Sequence, residues 1–170
     1  MVWFVTCLAV WMPFPEAREC DEPALSAVLE RLARAHGIEE PPQLILREGD
    51  GAPRAVADGS ILVFTGRLGS SMTEPALAFA LAHEWAHLLL GHPRRLGAAT
   101  LLQVALGGTG PGVDALWLRL ELEADAAALE WMSSAGYPGY ASLDALDLLT
   151  TPSDATWTRR VALARRLWEE

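Results

Sequence analysis

The chain has 170 residues, 51% of them hydrophobic, and a net charge of -9 from thirteen basic and twenty-two acidic side chains, with a mean hydropathy of +0.19. That is enough apolar material for one buried core and excludes a disordered chain, while the acidic balance disfavours the phosphate contacts that nucleic-acid binding requires. Every basic residue is Arg, and Cys7 and Cys20 are too few for a disulfide scaffold and do not form a Cys-x-x-Cys pair. Any bound metal must therefore be held by His and carboxylates.

Residues 1–20 form an apolar amino-terminal segment. Val2 to Met12 has the size of a signal-peptide core and falls short of the roughly 20 residues that span a bilayer, so it reads as a signal or anchor, or as a buried strand. The compartment follows that choice: secreted, periplasmic or membrane-associated in the first case, cytoplasmic in the second. Asp21-Glu22-Pro23 is a helix start, and Leu25, Val28, Leu29, Leu32 and Ala35 carry the helix at helical spacing to His36-Gly37. The period then changes. Leu44 to Leu46, with Ala55 to Ala57 facing Ile61 to Thr65 across Asp58-Gly59, predict a small antiparallel sheet closed by a type I′ turn.

Thr73 caps an apolar helix that starts at Glu74 and Pro75 and runs to Gly91, and its lack of a polar face places it at the centre of the domain. Pro93 is expected to end that helix, with a second beginning near Arg94. The run Leu96 to Leu106 reads as core or as a membrane-resting face, and Gly107 to Gly112 as a break. A long helix from about Val113 to Ala135 is closed by Gly136, and two more lie within Pro138 to Thr150 and Ala155 to Glu169. Trp85, Leu88 to Leu90, Trp117 and Trp131 read as core. The expected fold is α+β and mostly helical: a single domain over residues 21–170 whose small antiparallel sheet packs on the central helix.

That central helix contains His83-Glu84-Trp85-Ala86-His87. Two imidazoles four residues apart share a helix face about one turn apart and can reach one Zn²⁺, and Glu84 projects beside it. From there a carboxylate can take the proton of a metal-activated water as it attacks a carbonyl. Catalytic zinc usually takes three protein ligands. His92 follows the helix end, and the longer metzincin pattern fails because Leu90 and Pro93 stand where it needs Gly and His. The long helix offers a better donor: Glu121 and Asp125 share a face, Glu121 to complete a His-His-Glu site and Asp125 to accept a hydrogen bond from a ligand His. Glu123 points away from Glu121 on the helical wheel, and it and Glu130 read as solvated charges.

The pair His83-Glu84-Trp85-Ala86-His87 and Glu121-Leu122-Glu123-Ala124-Asp125 resembles the motifs of the gluzincin metallopeptidases of the HtpX-like and CAAX prenyl protease type 1 family. The likeness extends over roughly residues 20–165 and includes the segment Ala55 to Gly66 before the zinc helix. It implies one Zn²⁺ per chain held by His83, His87 and Glu121, with Glu84 as general base, and an endopeptidase acting on extended, unfolded polypeptide, in the manner of protein quality control. Membrane association is allowed but not required. Two features depart from the family. A His before Pro152, which in the family helps stabilise the oxyanion, is replaced by Thr151, and the membrane-spanning helices are missing. Arg160 falls where the family tends to place an Arg, and reads either as support for the site or the oxyanion, or as one more surface charge beside Arg159, Arg165 and Arg166. Ile61 to Thr65, if at the sheet edge, would pair with an extended substrate. The competing reading is a zinc-stabilised, weakly active or latent binding module of chaperone-like type.

Overall fold

The computed structural model describes residues 22–68, 72–105, 111–149 and 155–169. The amino-terminal run with Cys7 and Cys20, the Asp21 cap, most of the Gly107 to Gly112 break and Thr151-Pro152 lie outside the described residues. In chain order the elements are α1 (Glu22–Ala35), β1 (Leu44–Arg47), β2 (Arg54–Ala55), β3 (Ile61–Phe64), the single turn α2 (Thr65–Leu68), α3 (Glu74–Leu89), α4 (His92–Ala105), α5 (Pro111–Ser134), α6 (Ala141–Leu149) and α7 (Ala155–Glu169). The architecture is the expected α+β, mostly helical domain. Among the described residues, no helix is long and apolar enough to cross a membrane.

α3 is the axis of the molecule, with α5, α6 and α1 packed around it. Ala76 through Ala82, then Trp85 and Ala86, are buried on every side, as the absence of a polar face requires. Five of these are alanines, and Ala124 and Ala128 on α5 are also fully buried. Small side chains let the two helix backbones approach, and the approach brings ionisable groups on α5 up to those on α3. At its start, Thr73 accepts a hydrogen bond from the Ala76 amide at 3.4 Å.

The end of α3 differs from expectation. Leu90 caps it and Gly91 adopts a left-handed φ of 67°, a conformation that costs glycine nothing and other residues strain. The chain reverses there at once, so α4 begins at His92 and Pro93 lies in its first turn, where a missing amide does no harm. Gly91, not Pro93, ends the central helix. Further along α4, Leu101 and Leu102 are well exposed, so these two are not core, and Leu89 and Leu90 are exposed as well. Trp85 is buried as expected.

The sheet also departs from the prediction. Its order is β1-β3-β2, with β2 antiparallel to β3 but β1 parallel to it, Leu44 opposite Ile61. The sheet is thus mixed, and β3 lies in its middle rather than at an edge. The crossover from β1 back to β3 passes through β2, so the parallel pair needs no extra helix. The Asp58-Gly59 turn is not type I′. The Gly59 amide donates to the Val56 carbonyl at 3.0 Å, and Gly59 alone takes positive φ, 95°, while Asp58 does not. The Asp58 carboxylate instead accepts from the Ser60 amide and hydroxyl at 2.9 and 2.6 Å, which holds the aspartate in ordinary backbone space.

The close approach of α3 and α5 is open to test. Ala128→Leu inserts three carbons where no space exists and should destabilise by about 1–3 kcal/mol, read as a lower midpoint in urea denaturation; an unchanged midpoint would show that the helix contact is slack.

Candidate metal centre

One turn of α3 and one turn of α5 face each other at the site. His83 and His87 project from α3 with their Nε2 atoms 3.0 Å apart. Glu121 of α5 lies opposite, its carboxylate oxygens 3.4 Å from His83 Nε2 and 3.5 Å from His87 Nε2. The helical spacing of four sets the first distance, and the α3–α5 packing sets the other two. A tetrahedral shell of ligands at about 2.0–2.2 Å from one ion places neighbouring donors roughly 3.3–3.6 Å apart, and these approaches, to His83 by Glu121 Oε2 and to His87 by Glu121 Oε1, lie near that range. Two imidazoles and a carboxylate are also the donor set that suits zinc, and these three residues form a group able to hold a metal ion. The residues therefore fit the metal that the sequence led us to expect.

Each of these side chains is held from behind. Asp125, fully buried one turn beyond Glu121, stands with Oδ1 2.9 Å from His83 Nδ1. Arg160 of α7 is buried, and its Nε and Nη2 donate to the two Asp125 oxygens at 2.8 and 2.7 Å. Its Nη1 reaches Glu121 Oε2 at 2.9 Å. One guanidinium thus ties together both carboxylates, a geometry that only its rigid fork of donors can supply. The surface-charge reading of Arg160 is overturned by its burial. The sequence held the signal: Trp157, Arg160, Val161 and Ala164 share one face of α7, so Arg160 lies within the apolar stripe.

The electrostatics follow from these contacts. Burial disfavours charge on His83, but its bonds to Asp125 and Glu121 outweigh that and push its pKa up to about 9. The negative field that favours a proton on His83 favours a metal cation in the same place. Burial and the neighbouring His83 push His87 down to about 3, so its ring is neutral with a lone pair free. Asp125, despite burial, is drawn down to about 2 by His83 and Arg160. Glu121 likewise stays ionised, its burial outweighed by the His83 hydrogen bond and the surrounding cations.

Glu84 faces the other way, toward the sheet. Its Oε2 accepts the Ala55 amide of β2 at 2.6 Å, and burial raises its pKa to about 7 against the opposing pull of His83 and that amide. A cleft of about 540 Å³ opens over His83, Glu84, His87 and Glu121, and its wall includes the β2 segment from Ala52 to Ala55 together with Leu96 and Trp117. Trp117 is therefore a cleft residue rather than core. The strand beside the site is β2, whose outer edge is free of sheet partners among the described residues, and not the central Ile61 to Thr65.

Two residues set aside in the sequence are close to the centre. His92 is buried, its Nδ1 3.0 Å from His87 Nδ1, and Glu123 bonds Arg119 and Arg95 at 2.7 and 3.2 Å beside it. Glu130 is exposed, as expected.

Comparison with curated proteins and with solved structures returned no match. The sequence model of peptidase family M48 matches residues 19–114, more than half of the chain. That span carries α1, the sheet, α3 with its His83-Glu84-Trp85-Ala86-His87 motif, and α4, and it stops short of Glu121. The chain belongs to peptidase family M48.

Proposed function

We propose that this peptidase is a zinc-dependent endopeptidase that cleaves extended polypeptide, with His83, His87 and Glu121 holding the metal and Glu84 acting as general base. The observation that carries this reading is the convergence of His83, His87 and Glu121, with one ligand atom from each lying within 4.8 Å of the others, opening on the cleft that Glu84 also lines. When bound, zinc supplies Lewis-acid polarisation of the scissile carbonyl and a water that is nucleophilic near neutral pH.

The protein's own groups do the rest. Glu84 receives the proton of the attacking water and passes it to the leaving amine. The Ala55 amide holds one Glu84 oxygen at 2.6 Å, which aims the carboxylate and leaves its second oxygen for the water. Asp125 and Arg160 keep the His83 ring and the Glu121 carboxylate in place. With its donors directed to Asp125 and Glu121, Arg160 is assigned as support for the site rather than as oxyanion donor. Polypeptide would lie along the outer edge of β2, where the Ala55 amide is taken by Glu84 and main-chain groups beside it give affinity without demanding a sequence. That suits an unfolded substrate and a role in quality control.

Glu84→Gln keeps the shape and the Ala55 contact but removes the base. Cleavage of an unfolded protein substrate should fall by at least about 100-fold while metal content stays at the wild-type level. Equal cleavage by both would remove Glu84 from the chemistry, and metal-loaded wild type that cleaves nothing would favour the zinc-stabilised binding module.

The base must be ionised to work, and a raised folded pKa means that ionisation is lost as pH falls. With Glu84 near 7, and lower once a cation sits beside it, kcat/KM should decline with acid along a limb at or below about pH 7, absent from Glu84→Gln. A profile that rises toward acid would contradict the assignment.

A further inference from the structure

We propose that His92 and Glu123 are positioning residues for the metal centre, forming a chain from the back of His87 that fixes which of its nitrogens faces the metal; this rests on the metal-site reading above. His87 and His92 meet through their Nδ1 atoms at 3.0 Å. Only one hydrogen fits between two such nitrogens, so one ring donates and the other accepts. The opposite nitrogen of His87, Nε2, faces His83 and Glu121, and as a metal ligand it must present a lone pair. The His87 hydrogen then belongs on Nδ1 and is donated to His92, whose own hydrogen is left on Nε2.

That second hydrogen has an acceptor in line. His92 Nε2 lies 3.4 Å from Glu123 Oε2, too far for a good hydrogen bond, and is a buried nitrogen without a hydrogen-bond partner. A polar ring that is 1% exposed is costly to leave unpaired, and a small shift of Glu123 closes the chain. Glu123 is itself fixed by Arg119 Nε at 2.7 Å and Arg95 Nη1 at 3.2 Å. His92 cannot be a ligand in this arrangement, because it touches the far side of the His87 ring and falls outside the three residues whose donor atoms converge. The two imidazoles of the site are thereby treated alike. His83 is backed by Asp125 and then Arg160, and His87 by His92, Glu123 and two arginines.

The backbone explains how His92 comes to be there. Gly91, at φ 67°, folds the chain back in a single step, and the first residue of α4 lands against the last turn of α3. Outer partners of ligand histidines orient the ring and raise its basicity, and their loss typically costs 10–100-fold in metal affinity.

The test is zinc affinity by competition with a chromophoric chelator, run beside thermal melting of the metal-free proteins. His92→Asn retains an acceptor near the Nδ1 position, His92→Phe retains the ring volume without one, and Glu123→Ala removes the end of the chain from a partly exposed site. The expected result is zinc binding about 10–100-fold weaker in His92→Phe, recovery of most of that loss in His92→Asn, and a smaller loss in Glu123→Ala, all with metal-free melting close to wild type. In the zinc-loaded wild type, nitrogen-15 NMR should find the His87 proton on Nδ1. A folded His92→Phe with wild-type affinity, an Asn variant as weak as Phe, or a His87 proton on Nε2 would overturn the proposal. Should His92→Phe fail to fold, unchanged affinity in Glu123→Ala overturns it. Wild type that binds no zinc defeats the metal site itself, and the proposal with it.

Discussion

The arrangement depends on one buried cation. Arg160, carried in on the carboxy-terminal helix, lies between Asp125 and Glu121 with contacts of 2.7 to 2.9 Å. Two ionised carboxylates on adjacent turns of one helix repel each other, and burial sharpens both the repulsion and the cost of lost hydration. The guanidinium offsets both, and so allows α5 to press an acidic face against the centre of the molecule. Breaking such a pair by removing one partner generally costs about 3–5 kcal/mol because the remaining charge is stranded. α7 is therefore the bolt that holds the α3 and α5 parts of the site together.

Around that charge, the packing does the positioning. α3 has no polar face, yet it carries three ionisable residues within one turn, and alanines on α3 and α5 bring the helices close enough for those residues to meet Glu121. The sheet adds the remaining wall. Its edge strand β2 donates the Ala55 amide to Glu84, so the proposed base and the strand edge proposed to carry a polypeptide are linked through one hydrogen bond. Two imidazoles so close to one another and to carboxylates make sense as a place where a cation replaces protons.

Much of this is legible in the amino-acid sequence, for local reasons. The helices have readable starts and stops, as Thr73 and Gly136 illustrate, and two histidines at a spacing of four can only share a face. What the sequence conceals is set by distant contacts. The parallel pairing of β1 with β3, which moves Ile61 to Thr65 from the edge to the middle, depends on how the sheet seats on α3. The turn at Asp58-Gly59 follows Ser60, whose two hydrogen bonds keep Asp58 out of left-handed space. Arg160 is masked by the arginines around it, and its place in an apolar stripe shows only when the face of α7 is drawn. His92 is hidden by the reversal at Gly91, since a His just past a helix end gives no sign that the chain doubles back.

The central claim is that His83, His87 and Glu121 hold zinc, and metal content by elemental mass spectrometry on protein purified without added metal or chelator tests it most directly. About one zinc per chain is expected, lost from a folded His87→Ala variant. A folded wild-type chain that holds no zinc and takes none up when offered it would contradict a zinc site at His83, His87 and Glu121.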